Sequence, residues 1–191
     1  YNYRGTLWNK DQCQQVMTPL ITRYVDILIT TIEDMARIYG MNCGRVSADD
    51  IQKGDIGRLD DEDIQALLRQ LIDRFEVNVV AVTIRHPDSH EQHRWESAAM
   101  SQEGSFFRSP TVGSIVLADR LGGGDTWNAG FYYGLLTEAD NVTAIQKGIL
   151  VGDAATRLKQ TLMYDLPIVT KEEVQARMTA DVTGGGKRTA R

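Results

Sequence analysis

The run Ala118-Asp119-Arg120-Leu121-Gly122-Gly123-Gly124-Asp125-Thr126-Trp127 constrains this chain more than any other segment. It joins a β-like apolar stretch, Ser114 to Leu117, to a helix-like stretch, Thr126 to Leu136. A glycine-rich turn from strand to helix leaves backbone N–H groups unspent at a helix N-terminus, where the helix dipole also favours an anion. The missing Cβ atoms let a bulky anion approach the backbone. Asp125 adds a carboxylate at the same place. A cradle for developing negative charge beside a base is the equipment for moving a phosphoryl group onto a hydroxyl. On the residues alone, such glycines more often form a plain tight turn before a helix.

The rest of the chain alternates helical and strand patterns. Lys10 to Tyr24 suits a helix with Val16, Met17, Leu20 and Ile21 on one face and a bend at Pro19. Asp26 to Thr30 reads as a short buried strand, and Glu33 to Tyr39 as a short helix stopped by Gly40. Asn42 to Leu59 is polar and interrupted by glycine, and reads as a mobile excursion. Asp60 to Phe75 is the clearest helix, with Ile64, Leu67, Leu68, Leu71, Ile72 and Phe75 at helical spacing. Val77 to Ile84 is nearly all apolar and reads as a central parallel strand. Trp95 to Met100 and Ser105 to Arg108 read as a hairpin. A helix from about Val142 to Thr161 follows, then a last short helix opened by the capping box Thr170-x-x-Glu173. This order predicts an α/β fold with helices on both faces of a mostly parallel sheet, ligands sitting at the carboxyl ends of strands. Residues 1–180 read as one catalytic part and 181–191 as a polar, glycine-rich, basic tail.

Composition narrows the function classes. With 191 residues, 42% hydrophobic and 25% charged, the chain can bury one sizeable core. A net charge of −5 predicts no nucleic-acid partner. No apolar run approaches the ~20 residues of a membrane span, so no membrane partner is expected. Cys13 and Cys43 lack metal-ligand spacing and read as reduced thiols of a cytoplasmic protein. His86, His90 and His93 cluster loosely, but histidines in a polar loop read as solvent-facing rather than as zinc ligands. Gly184-Gly185-Gly186-Lys187 fails as a phosphate loop because Arg188 stands where Ser or Thr is required.

Asp119, Gly122, Gly124 and Asp125 match the signature Asp-Thr-x-Gly-Ala-Gly-Asp-x-Phe, and the run thereby resembles the ribokinase/PfkB carbohydrate kinases. Arg120-Leu121 at that place is similar to the 2-keto-3-deoxygluconate kinase branch, as are Asn2-Tyr3-Arg4-x-x-Leu7-Trp8 and Ile168-Val169-Thr170-Lys171-Glu172-Glu173-Val174. The resemblance runs over the whole chain and corresponds to about the C-terminal three-fifths of such a kinase. It implies a ribokinase-like three-layer α/β/α fold whose N-terminal lid portion lies outside this chain.

The same resemblance implies roles for particular residues. Asp125 would be the catalytic base, and Gly122, Gly123 and Gly124 would form the anion hole. Arg4, beside Asn2, would pair with a sugar acid's carboxylate, for which an arginine fork is well shaped. Asp165, in Leu162-Met163-Tyr164-Asp165-Leu166, aligns with the branch's Ile-Pro-Gly-Asp-Phe-Asn and would approach the substrate. Thr31, Thr83, Arg85 and Asp153, with Gly122 and Gly124, would face the nucleotide. Glu33 and Asp34, in a degraded form of the family's Asn-x-x-Glu element, would hold Mg²⁺ through water. ATP and Mg²⁺ are the implied cosubstrate and ion, a small sugar acid is the implied acceptor, and the full-length form would be a homo-oligomer. Two alternatives stay open: a kinase for a neutral sugar or nucleoside, and a catalytically weak nucleotide-binding protein on the same fold. Without the resemblance, Glu33, Asp34 and Asp165 read as ordinary helix-start and turn acids.

Overall fold

A computed structural model describes residues 3–54, 59–87, 92–110 and 112–183. The elements run α1 (Lys10–Tyr24), β1 (Ile27–Thr31), α2 (Ile32–Tyr39), α3 (Ala48–Lys53), α4 (Asp61–Phe75), β2 (Val79–Pro87), β3 (Gln92–Ser101), β4 (Phe106–Arg108), β5 (Ile115–Val116), α5 (Gly123–Thr137), α6 (Asn141–Gln160) and α7 (Lys171–Thr183). The strands form one mixed sheet of order β1-β2-β3-β4, with β5 beside β3. β1 and β2 are parallel, β3 and β5 antiparallel. The chain divides into two compact units, one of residues 1–84 and 98–106, the other of residues 85–97 and 107–191.

The first unit is built on α4. Its predicted face, Ile64, Leu67, Leu68, Leu71, Ile72 and Phe75, is buried throughout, each side chain contributing about 1.5–3 kcal/mol. Asp60 and Asp63 cap the helix reciprocally, and Glu76 ends it in the left-handed region. α2 adds Ile32, Met35, Ala36 and Ile38 to the same core. Parallel pairing runs from Ile27 opposite Val79 to Thr31 opposite Thr83.

Two expectations for this unit are corrected. In α1 the buried face is Cys13 and Ile21 with Met17 partly covered, while Val16 and Leu20 are nearly half exposed. Pro19 sits inside an unbroken helix on its exposed side. The stretch Asn42 to Leu59 is not wholly an excursion. Ser47 caps α3, Gly54 closes it at φ 82°, and Ile51 is buried. Residues 55–58 lie outside the described residues.

The second unit is built on α5 and α6. An added Cβ on Gly130 would lie 2.8 Å from the Gly152 Cα, and one on Gly134 would overlap the Gly148 backbone. The two helices therefore meet backbone to backbone, with Trp127 and Phe131 stacked at 4.9 Å and buried beside the seam. Asp140 caps α6 by accepting from the Thr143 N–H at 2.9 Å. The predicted capping box of α7 is present, Thr170 N–H to Glu173 at 2.7 Å and Glu173 N–H to Thr170 at 3.2 Å. α7 extends to Thr183, so Asp181, Val182 and Thr183 belong to a helix, and 184–191 lie outside the described residues.

Candidate active site

The signature helix starts earlier than its apolar pattern suggests. Gly123, Gly124 and Asp125 form the first turn of α5, and Gly122 is its N-cap at φ 71°. That left-handed geometry suits glycine, and the space does too, since a Cβ here would run into the Asp165 carbonyl. No side chain caps this helix. The Gly123 N–H donates to the Arg120 carbonyl at 3.3 Å, and the Thr126 N–H to the Gly122 carbonyl at 2.9 Å. Among the described residues, no protein acceptor takes the N–H groups of Gly124 and Asp125. The Asp125 side chain is exposed, and nothing lies within 4 Å of a Cβ added at Gly124. Two unspent donors, open room before them and a carboxylate alongside are what an anion next to a reacting hydroxyl requires.

The end of α6 grips this loop. Gln160 offers its carbonyl to the N–H groups of Ala118 at 2.8 Å and Asp119 at 3.3 Å. The Thr156 hydroxyl donates to the Gly123 carbonyl at 3.1 Å. The Asp119 carboxylate accepts from the Leu121 N–H at 2.9 Å and the Tyr164 N–H at 3.1 Å. Those bonds, that from Leu121 foremost, hold its carboxyl below the ordinary range. Asp165 is exposed and lies against Gly122, so the structure brings these two predicted site residues together.

Tyr164, where the family pattern has glycine, holds φ 71° and is 77% exposed. A left-handed non-glycine residue costs roughly 1–2 kcal/mol, and no burial of the ring offsets it. Tyr164→Gly therefore stabilises the protein, by roughly 0.5–1 kcal/mol after glycine's own entropy cost. Urea unfolding reads this as a higher midpoint, and a lower one would contradict the strain.

Asp153 does not face a nucleotide. It is buried, and its Oδ1 accepts from the Ser97 hydroxyl at 2.6 Å and the Trp127 Nε1–H at 2.7 Å. Burial pushes its carboxyl above the ordinary range, against the opposing pull of Ser109, Ser97, Arg157 and Trp127. Its Oδ1 thereby ties Trp127 of α5 to Ser97 of β3. Arg85 is a strand residue with an exposed side chain, because β2 continues to Pro87 rather than stopping at Ile84.

The remaining predicted residues lie in the first unit. Thr31, the last residue of β1, sits opposite Thr83, a buried residue in the middle of parallel β2. The Thr31 hydroxyl caps α2, accepting from the Asp34 N–H at 3.1 Å. Glu33 and Asp34 are half-buried first-turn acids of that helix. Among the described residues no group of three or more metal-ligating side chains gathers, so this pair of acids suits only a cation that retains several waters, as Mg²⁺ does. Arg4 is exposed, with its carbonyl accepting from the Leu7 N–H at 2.9 Å. Asn2 and His90 lie outside the described residues.

Sequence reading missed a polar cluster in the second unit. Glu96 is buried, with one oxygen 2.5 Å from His86 Nε2 and Arg108 donating at 3.1 and 3.2 Å. Burial alone would raise its carboxyl, but the bonds from His86 and Arg108 outweigh it and hold it low. The available signal was Arg108 and Glu96 on paired strands, which grouping His86 with the other histidines obscured. Also missed were Thr156, Lys159 and Gln160, polar residues on a buried helix end next to the loop.

The fold is ribokinase-like. A 2-dehydro-3-deoxygluconokinase from Thermotoga maritima superposes with a TM-score of 0.76 at 26% identity, over 93% of this chain and 48% of its own. A PfkB family carbohydrate kinase from Listeria grayi superposes with a TM-score of 0.67 at 21% identity, over 93% and 48%. In sequence, the chain is 24% identical over 174 residues to a 2-dehydro-3-deoxygalactonokinase from Haloferax volcanii, covering 91% of this chain and 44% of that protein. The chain thus spans about half the length of the relatives it matches. No family model matches it. The likeness to carbohydrate kinases read in the glycine-rich run is shown by these comparisons.

Gly124 offers the cleanest test of the loop. Gly124→Val meets no protein atom within 4 Å, so the unfolding midpoint stays near wild type, while anion approach is blocked. Turnover falls at least about tenfold, the worth of one lost hydrogen bond to a charged group. Unchanged turnover in a folded variant would remove the loop from the chemistry.

Proposed function

We propose that this chain carries the catalytic part of an ATP-dependent sugar-acid kinase, with 2-keto-3-deoxygluconate the first substrate to try and its terminal hydroxyl the acceptor. The observation that carries the reading is the uncapped start of α5, where the N–H groups of Gly124 and Asp125 stand unspent beside open space and the exposed Asp125 side chain belongs to the same turn. Asp125 accepts the proton of the attacking hydroxyl. The backbone N–H groups of Gly124 and Asp125 stabilise the charge on the phosphoryl group in transit. Asp165, packed on Gly122, faces the acceptor. On the resemblance, Thr31 and Thr83 would contact the nucleotide, and Glu33 and Asp34 would hold Mg²⁺ through water, which neutralises phosphate charge. The relatives' names, all carbohydrate kinases and two of them acting on keto-deoxy sugar acids, support the substrate class. The test is an ADP-release screen of full-length protein over sugar acids and neutral sugars. Release only with neutral sugars would replace the substrate class, and nucleotide binding without release would favour a catalytically weak protein.

Arg4 is the proposed reader of the acid's carboxylate. A charged hydrogen bond contributes about 1.5–3 kcal/mol, or roughly 10- to 150-fold. Arg4→Ala loses that factor in kcat/KM on the sugar acid and much less on fructose. Arg4→Lys recovers only part, because a point charge makes no two-pronged contact. Equal losses on both sugars would show that Arg4 supports the loop instead.

A further inference from the structure

Lys159, in the last turn of α6, is completely buried. Its Nζ donates to the main-chain carbonyl of Asp119 at 3.3 Å, the protein acceptor it has among the described residues. A buried ammonium is costly unless it is well partnered, and an apolar side chain of similar volume packs at least as well. The negative end of the α6 dipole lessens that cost without removing it. What distinguishes this lysine is the residue it holds. The Asp119 carboxylate fixes the Leu121 N–H on one side and the Tyr164 N–H on the other. Asp165, next to Tyr164, sits against the Gly122 cap, and Thr156, three residues before Lys159, holds the Gly123 carbonyl.

We infer that Lys159 is a positioning residue for the glycine-rich loop: its buried ammonium braces the Asp119 peptide, so that the Asp119 carboxylate aims Leu121 and the helix-opening N–H groups at the transferring phosphoryl group. The inference rests on the phosphoryl-transfer reading for its kinetic consequence, but its structural consequence does not. Lys159 never touches substrate; it acts through Asp119.

The experiment uses full-length protein with Lys159→Met, which keeps volume and removes donor and charge, Asp119→Asn, and the double variant. Amide hydrogen exchange of Leu121 and Gly123, the hydrogen-bonded N–H groups of the loop, is measured beside kcat and KM for ATP. In Lys159→Met, exchange at this loop quickens about tenfold or more, as one lost charged hydrogen bond implies. kcat drops about 10- to 100-fold while KM for ATP stays within about threefold, and the double variant loses little beyond the worse single one. Unchanged loop exchange and kcat with a shifted unfolding midpoint would overturn the inference, since that is what a mere packing role gives. Additive kcat losses in the cycle would overturn it too. If Lys159→Met does not fold, Lys159→Gln replaces it, and the same changes in exchange and kcat are expected. Absence of turnover in the wild type sinks the kinase reading, while the exchange arm still decides for or against Lys159.

Discussion

Asp125→Asn lowers kcat by about 10²–10⁴-fold, the contribution of a positioned general base, with KM for ATP little changed. Asparagine keeps the size and polarity of the side chain but cannot accept the hydroxyl proton. The side chain is exposed on the first turn of α5, so the substitution disturbs no packing. The N–H groups of Gly124 and Asp125 belong to the main chain and remain to bind anion. The loss therefore falls on the chemical step. Steady-state kinetics on full-length protein, with nucleotide affinity measured separately, distinguishes this from a binding defect. Near-normal turnover would remove Asp125 from the mechanism. A loss confined to ATP affinity would make it a nucleotide residue.

The other large effect is on stability. In Gly134→Val the new side chain is driven into the Gly148 backbone, which has no rotamer with which to give way. α5 and α6 must separate, uncovering the stacked pair Trp127 and Phe131. Overpacking commonly costs 1–3 kcal/mol and occasionally more; against immovable backbone, about 3 kcal/mol or more is expected. That is a large share of the 5–15 kcal/mol that keeps a typical protein folded. Leu136→Ala, on the same helix but 84% exposed, is the control and stays within about 0.5 kcal/mol. Urea unfolding of both variants reads the difference. Equal midpoints would mean that the helices do not meet through their glycines.

What could be read in advance follows from which signals are local. The α4 face and the Thr170 capping box depend on residues three or four apart, and both are found as expected. The glycine-rich run located the loop, because strand, turn and helix follow one another directly. The first turn of α5 was missed since glycines carry no apolar pattern to mark it. α1 chose Cys13 over Val16 and Leu20 because burial there is set by what packs against the helix, not by its own hydrophobicity. Asp153 misled for the opposite reason. Its alignment position pointed to the nucleotide, yet Ser97 and Trp127, 56 and 26 residues away in sequence, claim its carboxyl. Nor could any local pattern show that Lys159 reaches back 40 residues to Asp119.

The most direct measurement is phosphorus NMR of full-length protein incubated with ATP, Mg²⁺ and 2-keto-3-deoxygluconate, with fructose in parallel. The account predicts a phosphomonoester on the terminal hydroxyl of the sugar acid, ADP formed in equal amount, and loss of both in Asp125→Asn. Nucleotide bound but no phosphomonoester on any sugar acid, or the same product from Asp125→Asn at the wild-type rate, would contradict it.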